Sequence, residues 1–232
     1  MPTGLITNTL SILAGALLGC LIAKHIPKRF QEILPVLFGF CAMAIGINSI
    51  VDVQNMAAVV MSVILGYCIG SALHLEERAE KLLRGIVARL FDRGGEKQST
   101  DLGLLVTVAA LFCFSGFGWY GALMESLAGN SEILISKSVL DFFTAALFAV
   151  LIGRAICILP FAQFAVTMVV FLAGIAIAAA GGLPEAVLDN LSACGGLLTL
   201  ATGFRVAKIK NVPIFDMVPA LVLVFPISLL ML

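Results

Sequence analysis

Threaded eight times through a bilayer, this 232-residue chain keeps thirteen of its fourteen Lys and Arg residues on one side. No other feature limits the fold as much, because it fixes the solvent, the number of crossings and the orientation together. Runs of about 20 apolar residues with few charges are long enough to cross a hydrocarbon core. Such runs lie near residues 4–23, 33–51, 56–75, 103–125, 137–157, 161–181, 187–204 and 214–231. Lys24, Lys28 and Arg29 follow the first run, and Arg78, Lys81, Arg84, Arg89, Arg93 and Lys97 follow the third. Arg154 closes the fifth, and Arg205, Lys208 and Lys210 follow the seventh. Only Lys137 falls on the other side. Cytoplasmic loops carry the excess of Lys and Arg, so both termini are expected outside. The outer loops hold Asp52, Glu132, Glu185 and Asp189.

Composition agrees. The chain is 61% hydrophobic and 12% charged, about half the charged share of an ordinary soluble domain. Its net charge is zero, which gives no reason to expect a nucleic-acid partner. The six cysteines lie in apolar runs with no C-x-x-C pair, so they read as packing residues, and neither metal nor cofactor is expected. Only MPTG precedes Leu5. With no basic stretch there, the first run is expected to stay in place as a span rather than serve as a cleaved signal.

Residues 75–93 differ from the spans. Leu75, Ala79, Leu82, Leu83, Ile86, Val87, Leu90 and Phe91 recur at helical spacing, with charges opposite and Gly94-Gly95 as a stop. This predicts a cytoplasmic amphipathic helix lying on the inner leaflet.

The first and last thirds resemble each other weakly. LSILAGALLG aligns with VVFLAGIAIA, placing Gly15 against Gly174. EILPVLFGFCAMAIG aligns with DNLSACGGLLTLATG, placing Glu32, Gly39 and Gly46 against Asp189, Gly196 and Gly203. Five crossings separate the copies, so the second is inverted, a plan common among secondary transporters. The expected fold is an all-α, polytopic membrane helix bundle in which two inverted three-helix repeats flank a central pair. Its parts are residues 1–75 (first repeat), 76–100 (cytoplasmic helix and linker), 101–158 (central broken-helix pair) and 159–232 (second repeat).

The central pair holds the unusual chemistry. Ser115, Gly116, Gly118 and Gly121 interrupt the fourth span and predict a broken helix. Unwound backbone at membrane depth persists only where protein buries it or a polar cavity receives it; tight helix packing is the alternative use of the glycines. Glu125, Lys137, Ser138 and Asp141 follow. Lys137 and Asp141 are one helical step of four apart and share a face. Ionisable groups in spans usually face the bundle interior or a water path, so the pair reads either as a structural salt bridge or as a contact for a solute. Asn8, Thr199 and Thr202 add polar atoms at depth. The candidate ion or substrate path is therefore Asn8, Ser115, Gly116, Gly118, Gly121, Glu125, Lys137, Ser138, Asp141 and Thr199.

Several of these stretches together carry a family resemblance. The Asn8 span, FCFSGFGWYGALMESLAGN, LISKSVLDFFTA, GGLLTLATGFRV and PIFDMVPAL resemble the YqgA/YdfK-like bacterial inner-membrane proteins, a domain of unknown function, across essentially the whole chain. The family pattern favours Asp after Gly129, where this chain has Asn130. The resemblance implies an integral membrane protein of the bacterial inner membrane and carries no catalytic residues.

The expected function is a secondary transporter or channel for a small ion or small organic solute. The alternative is a non-transporting scaffold or sensor, whose best feature is the amphipathic helix. An enzyme is not expected: there is no H-E-x-x-H, Asp141 is alone in its span, and His25 and His74 sit at cytoplasmic ends. Lys137 favours an anion, Glu125 and Asp141 a cation, which leaves the sign of the solute open. Small-residue faces make a homodimer the expected assembly.

Overall fold

The computed structural model describes residues 2–91 and 101–231. Eleven α-helices account for nearly all of them: α1 (Thr3–Ile22), α2 (Lys28–Asn48), α3 (Met56–Ala72), α4 (Leu75–Phe91), α5 (Leu102–Cys113), α6 (Gly116–Ala128), α7 (Glu132–Ile152), α8 (Leu159–Ala179), α9 (Glu185–Val206), α10 (Ile214–Met217) and α11 (Ala220–Met231). The all-helical class is as expected. By length and hydropathy six helical stretches can cross a membrane, or seven if the bent pair α3–α4 serves as one. In that count α5 with α6, α7 with α8, and α10 with α11 are single stretches.

Side-chain caps set several boundaries. Asn55 accepts from the Ala58 N–H, Asp101 from Leu104 and Ser115 from Gly118, each at a helix start. Gly129, with φ 69°, closes α6 in the left-handed conformation. Apolar side chains such as Leu10, Leu17, Val139, Phe143, Val169 and Leu172 are exposed on the outside of the bundle, as suits a hydrocarbon solvent.

Small residues bring the helices together. Gly15 and Gly19 of α1 lie against the Phe142 and Ala146 carbonyls of α7. They form a G-x-x-x-G face, which lets two backbones meet closely. Gly39 and Gly46 of α2 meet Gly203 and Gly196 of α9. A methyl on any of the four would sit 2.6–2.8 Å from the facing glycine's carbonyl oxygen.

Two structural details differ from the sequence expectations. The break in the fourth span is confined to Phe114–Ser115, and Gly116, Gly118 and Gly121 are helical. Those glycines give room instead: Gly116 packs on Gly195, Gly118 on the Lys137 stem and Gly121 on Leu134. The amphipathic helix α4 also does more than present an apolar face. Leu83 and Val87 join the apolar cluster built on α5 and α7, while Leu82 stays exposed. Its start is held by Asp216, which accepts the Glu76 N–H at 2.9 Å, and by the Glu76–Arg205 ion pair. Residues 92–93 and Gly94-Gly95 lie outside the described residues.

Candidate functional site

The buried apolar side chains form two clusters stacked along the bundle. One contains Ile12, Ala16, Leu105, Phe112, Phe148, Ile152 and Val206, and the other Leu5, Leu123, Leu134, Val170, Leu191 and Leu198. Between them α1, the α5–α6 break, α7, α8 and α9 contribute polar residues. Asn8 lies between Leu5 and Ile12, Ser115 between Phe112 and Leu123, and Lys137, Ser138, Asp141 and Thr144 between Leu134 and Phe148. Gln163 and Thr167 precede Val170 on α8, and Thr199 and Thr202 lie between Leu198 and Val206 on α9. All of them are buried. The result is a polar layer half-way along the bundle, with Asp141 ten residues into the 21-residue α7.

At its centre Lys137 Nζ donates to Asp141 Oδ2 at 2.5 Å. The same oxygen accepts from Asn8 Nδ2 at 2.8 Å. Asn8 Oδ1 in turn accepts from Gln163 Nε2 at 2.8 Å, and Thr9 donates to Gln163 Oε1 at 3.2 Å. This chain of amides ties α7, α1 and α8 together and fixes which oxygen of Asp141 is occupied. The ammonium has three donors and the carboxylate two oxygens. Asp141 Oδ1 has no hydrogen-bond donor among the described residues, and Lys137 has no second acceptor there.

The pair borders a cavity lined by Ser115, Lys137, Asp141, Thr144 and Thr199 with apolar side chains of α2 and α5–α7. It is partly open and large enough to admit water. Burying a pair of charges is costly, and such pairs are often no better for stability than apolar side chains of similar volume. A pair left with open valences beside a water-sized cavity is suited to meeting something polar.

Not every expected residue converges here. Ser115, Lys137, Asp141 and Thr199 line the cavity, with Gly118 beneath the Lys137 stem. Asn8 lies one bond behind Asp141. Ser138 turns away: its hydroxyl donates to the Leu134 carbonyl, and its own carbonyl accepts from Ser11. Glu125 is elsewhere. It accepts from the Gly4 N–H at 2.7 Å, the Leu5 N–H at 3.3 Å and the Thr3 and Ser131 hydroxyls. A carboxylate so placed caps the positive end of α1. Gln163, Thr144 and Thr167 were not foreseen. Gln163 is the one amide deep in an otherwise apolar run, PFAQFAVTM, and that contrast could have singled it out.

The model of the family described as "Protein of unknown function (DUF554)" matches residues 3–229. The chain belongs to this family. Among the DUF554 relatives, "Uncharacterized protein YqgA" of Escherichia coli (strain K12) is 35% identical over 98% of this chain and 97% of its own length. "Uncharacterized membrane protein YdfK" of Bacillus subtilis (strain 168) is 26% identical over 95% of this chain and 93% of its own length. No solved structure matches the chain. The family match spans both the polar layer and the end caps. With the apolar helices, it makes this a helical membrane protein.

Proposed function

We propose that the protein is a secondary transporter or channel that passes a small ion or small organic solute across the bacterial inner membrane, with the Lys137–Asp141 layer as its narrowest point. The observation that carries this is the polar layer itself. Ten buried polar residues from five helical segments lie between the two apolar clusters, and five of them line a cavity that admits water. A bundle held only by packing has no need of them, and ionisable groups at such depth are costly enough to be kept for a purpose.

Eight crossings account for the layout. The six long stretches gain one from α3 and one from separating α7 and α8. Contacts support that separation. Gly4, Gly15 and Gly19 meet Leu134, Phe142 and Ala146, so α1 and α7 run the same way. Thr9 meets Gln163, and Cys20 is beside Cys157, so the α8 stretch runs back. The turn is made at Gly153, with φ 74°. Hydrogen bonds Thr3–Ser131, Gln54–Asp189 and Asn55–Met231 gather the ends that the charge rule puts outside. C-terminal fusions should then give active alkaline phosphatase and dark cytoplasmic fluorescent protein; the reverse would end this orientation.

The inverted repeat has support of the same kind. Gly39 meets Gly203 while Gly46 meets Gly196, the exchange that a two-fold axis relating Gly39 to Gly196 and Gly46 to Gly203 requires. Gly15 packs on α7 and its counterpart Gly174 on Ser126 of α6. The same axis would therefore exchange the central helices.

Substituted-cysteine labelling tests the pathway. In a variant without native cysteines, Thr199→Cys should react with a small charged methanethiosulfonate reagent in membranes, and excess permeant solute should slow the reaction. A residue at 199 as inert as a lipid-buried control would leave the scaffold reading in its place.

A further inference from the structure

We infer that the end of the bundle where α5 starts and α9 stops binds the zwitterionic headgroup of an amine-bearing phospholipid such as phosphatidylethanolamine, held between Lys208, Lys210, Asp101 and Glu32. The site lies apart from the polar layer and does not depend on transport.

Two open recesses adjoin at this end and share Asp101, Leu104 and Lys208. The first is rich in donors, with Arg205 and Lys210 beside Lys208. Arg205 Nη1 donates to Glu76 Oε1 and to the Val212 carbonyl. Its Nε and Nη2 hydrogens have no acceptor among the described residues, and neither lysine has an ion-pair partner there. Donors of this kind suit a phosphate. The second recess is lined by Gln31 and Glu32 of α2. Glu32 has no partner among the described residues. Asp101 uses only Oδ1, which accepts the Leu104 N–H at 3.0 Å.

The charges select a zwitterion. With Arg205 set against Glu76, Lys208 and Lys210 balance Asp101 and Glu32, so a simple anion or cation gains no net attraction. A headgroup with phosphate at one end and ammonium at the other matches both recesses at once. A primary ammonium offers three hydrogens to the carboxylates; a trimethylated one offers none. Position selects a lipid. Beyond Glu32 the exposed Ile33, Val36, Leu37 and Phe40 run along the outside of α2, a surface suited to acyl chains. The backbone points to the same place. Lys208, with φ 58°, closes α9 in the left-handed conformation, and its N–H donates to the Arg205 carbonyl at 3.0 Å. Glycine usually takes that position. A lysine held there carries strain, which gathers at ligand sites.

The test is thermal unfolding of the delipidated full chain in detergent, titrated with phosphatidylethanolamine, phosphatidylcholine, phosphatidylglycerol and soluble glycerophosphoethanolamine. Saturable stabilisation by phosphatidylethanolamine is expected, with half-saturation at a several-fold lower concentration than either other lipid needs. The soluble headgroup should need more still. Lys208→Gly suits the left-handed backbone, so without lipid it should unfold no earlier than wild type. It should nevertheless need several-fold more phosphatidylethanolamine. Glu32→Gln should narrow the preference over phosphatidylcholine. An equal or stronger effect of phosphatidylglycerol would overturn the zwitterion site, because an anionic headgroup would then suffice. Half-saturation by glycerophosphoethanolamine at the lipid's concentration would overturn the lipid as ligand. No saturable effect of phosphatidylethanolamine, or unchanged behaviour in both variants, would overturn the site altogether.

Discussion

Lys137→Met should destabilise the protein by about 3–5 kcal/mol, because it leaves Asp141 charged and buried with only Asn8 as partner. Restoring neutrality should undo most of that loss. In Lys137→Met combined with Asp141→Asn, the new amide can still accept from Asn8 Nδ2, so the polar chain to Gln163 is kept. Replacement of a buried ion pair by uncharged groups of similar volume is often neutral or stabilising. Denaturant unfolding in mixed micelles reads both variants. A single variant that loses less than about 1 kcal/mol would mean that the pair is wetter or weaker than the geometry implies.

Gly15→Leu should be as damaging, for a steric reason. Even a methyl at this position runs into the Phe142 carbonyl of α7. A leucine forces α1 and α7 apart over the same face that carries the Asn8–Asp141 bond. Overpacking costs about 1–3 kcal/mol and sometimes more, and here a buried polar network is lost with it. The variant is expected to be made but not to accumulate as folded protein. Gly85→Ala is the contrast. Nothing lies within 4 Å of a methyl there, so it should be neutral or gain up to about 1 kcal/mol from helix propensity. Equal levels of folded Gly15→Leu and wild type would remove the close α1–α7 contact from the description.

How much of this was visible in the sequence depends on the range of the interaction. Helix class followed from apolar runs and local caps, which act over a few residues. Lys137 and Asp141 could be paired because one helix puts them on one face. The glycines stood out with two uses open, an unwound stretch or tight packing, and the choice lay with other helices: Gly116 and Gly118 admit Gly195 and the Lys137 stem. Glu125 looked like a pathway carboxylate because its partners, the Gly4 and Leu5 N–H groups, are over a hundred residues away. Gln163 was passed over for the same reason, since its role comes from Asn8 on another helix. Arg154, a local signal, lies two residues past the end of α7 at Ile152.

Ion flux through reconstituted protein tests the proposed passage most directly. Liposomes containing the wild-type chain should collapse at least one gradient faster than protein-free liposomes, across halides, nitrate, alkali cations and protons. The folded Lys137→Met/Asp141→Asn protein should do no better than empty liposomes. Absence of flux for every ion with the wild-type chain, or equal flux through the double variant, would contradict passage through the Lys137–Asp141 layer.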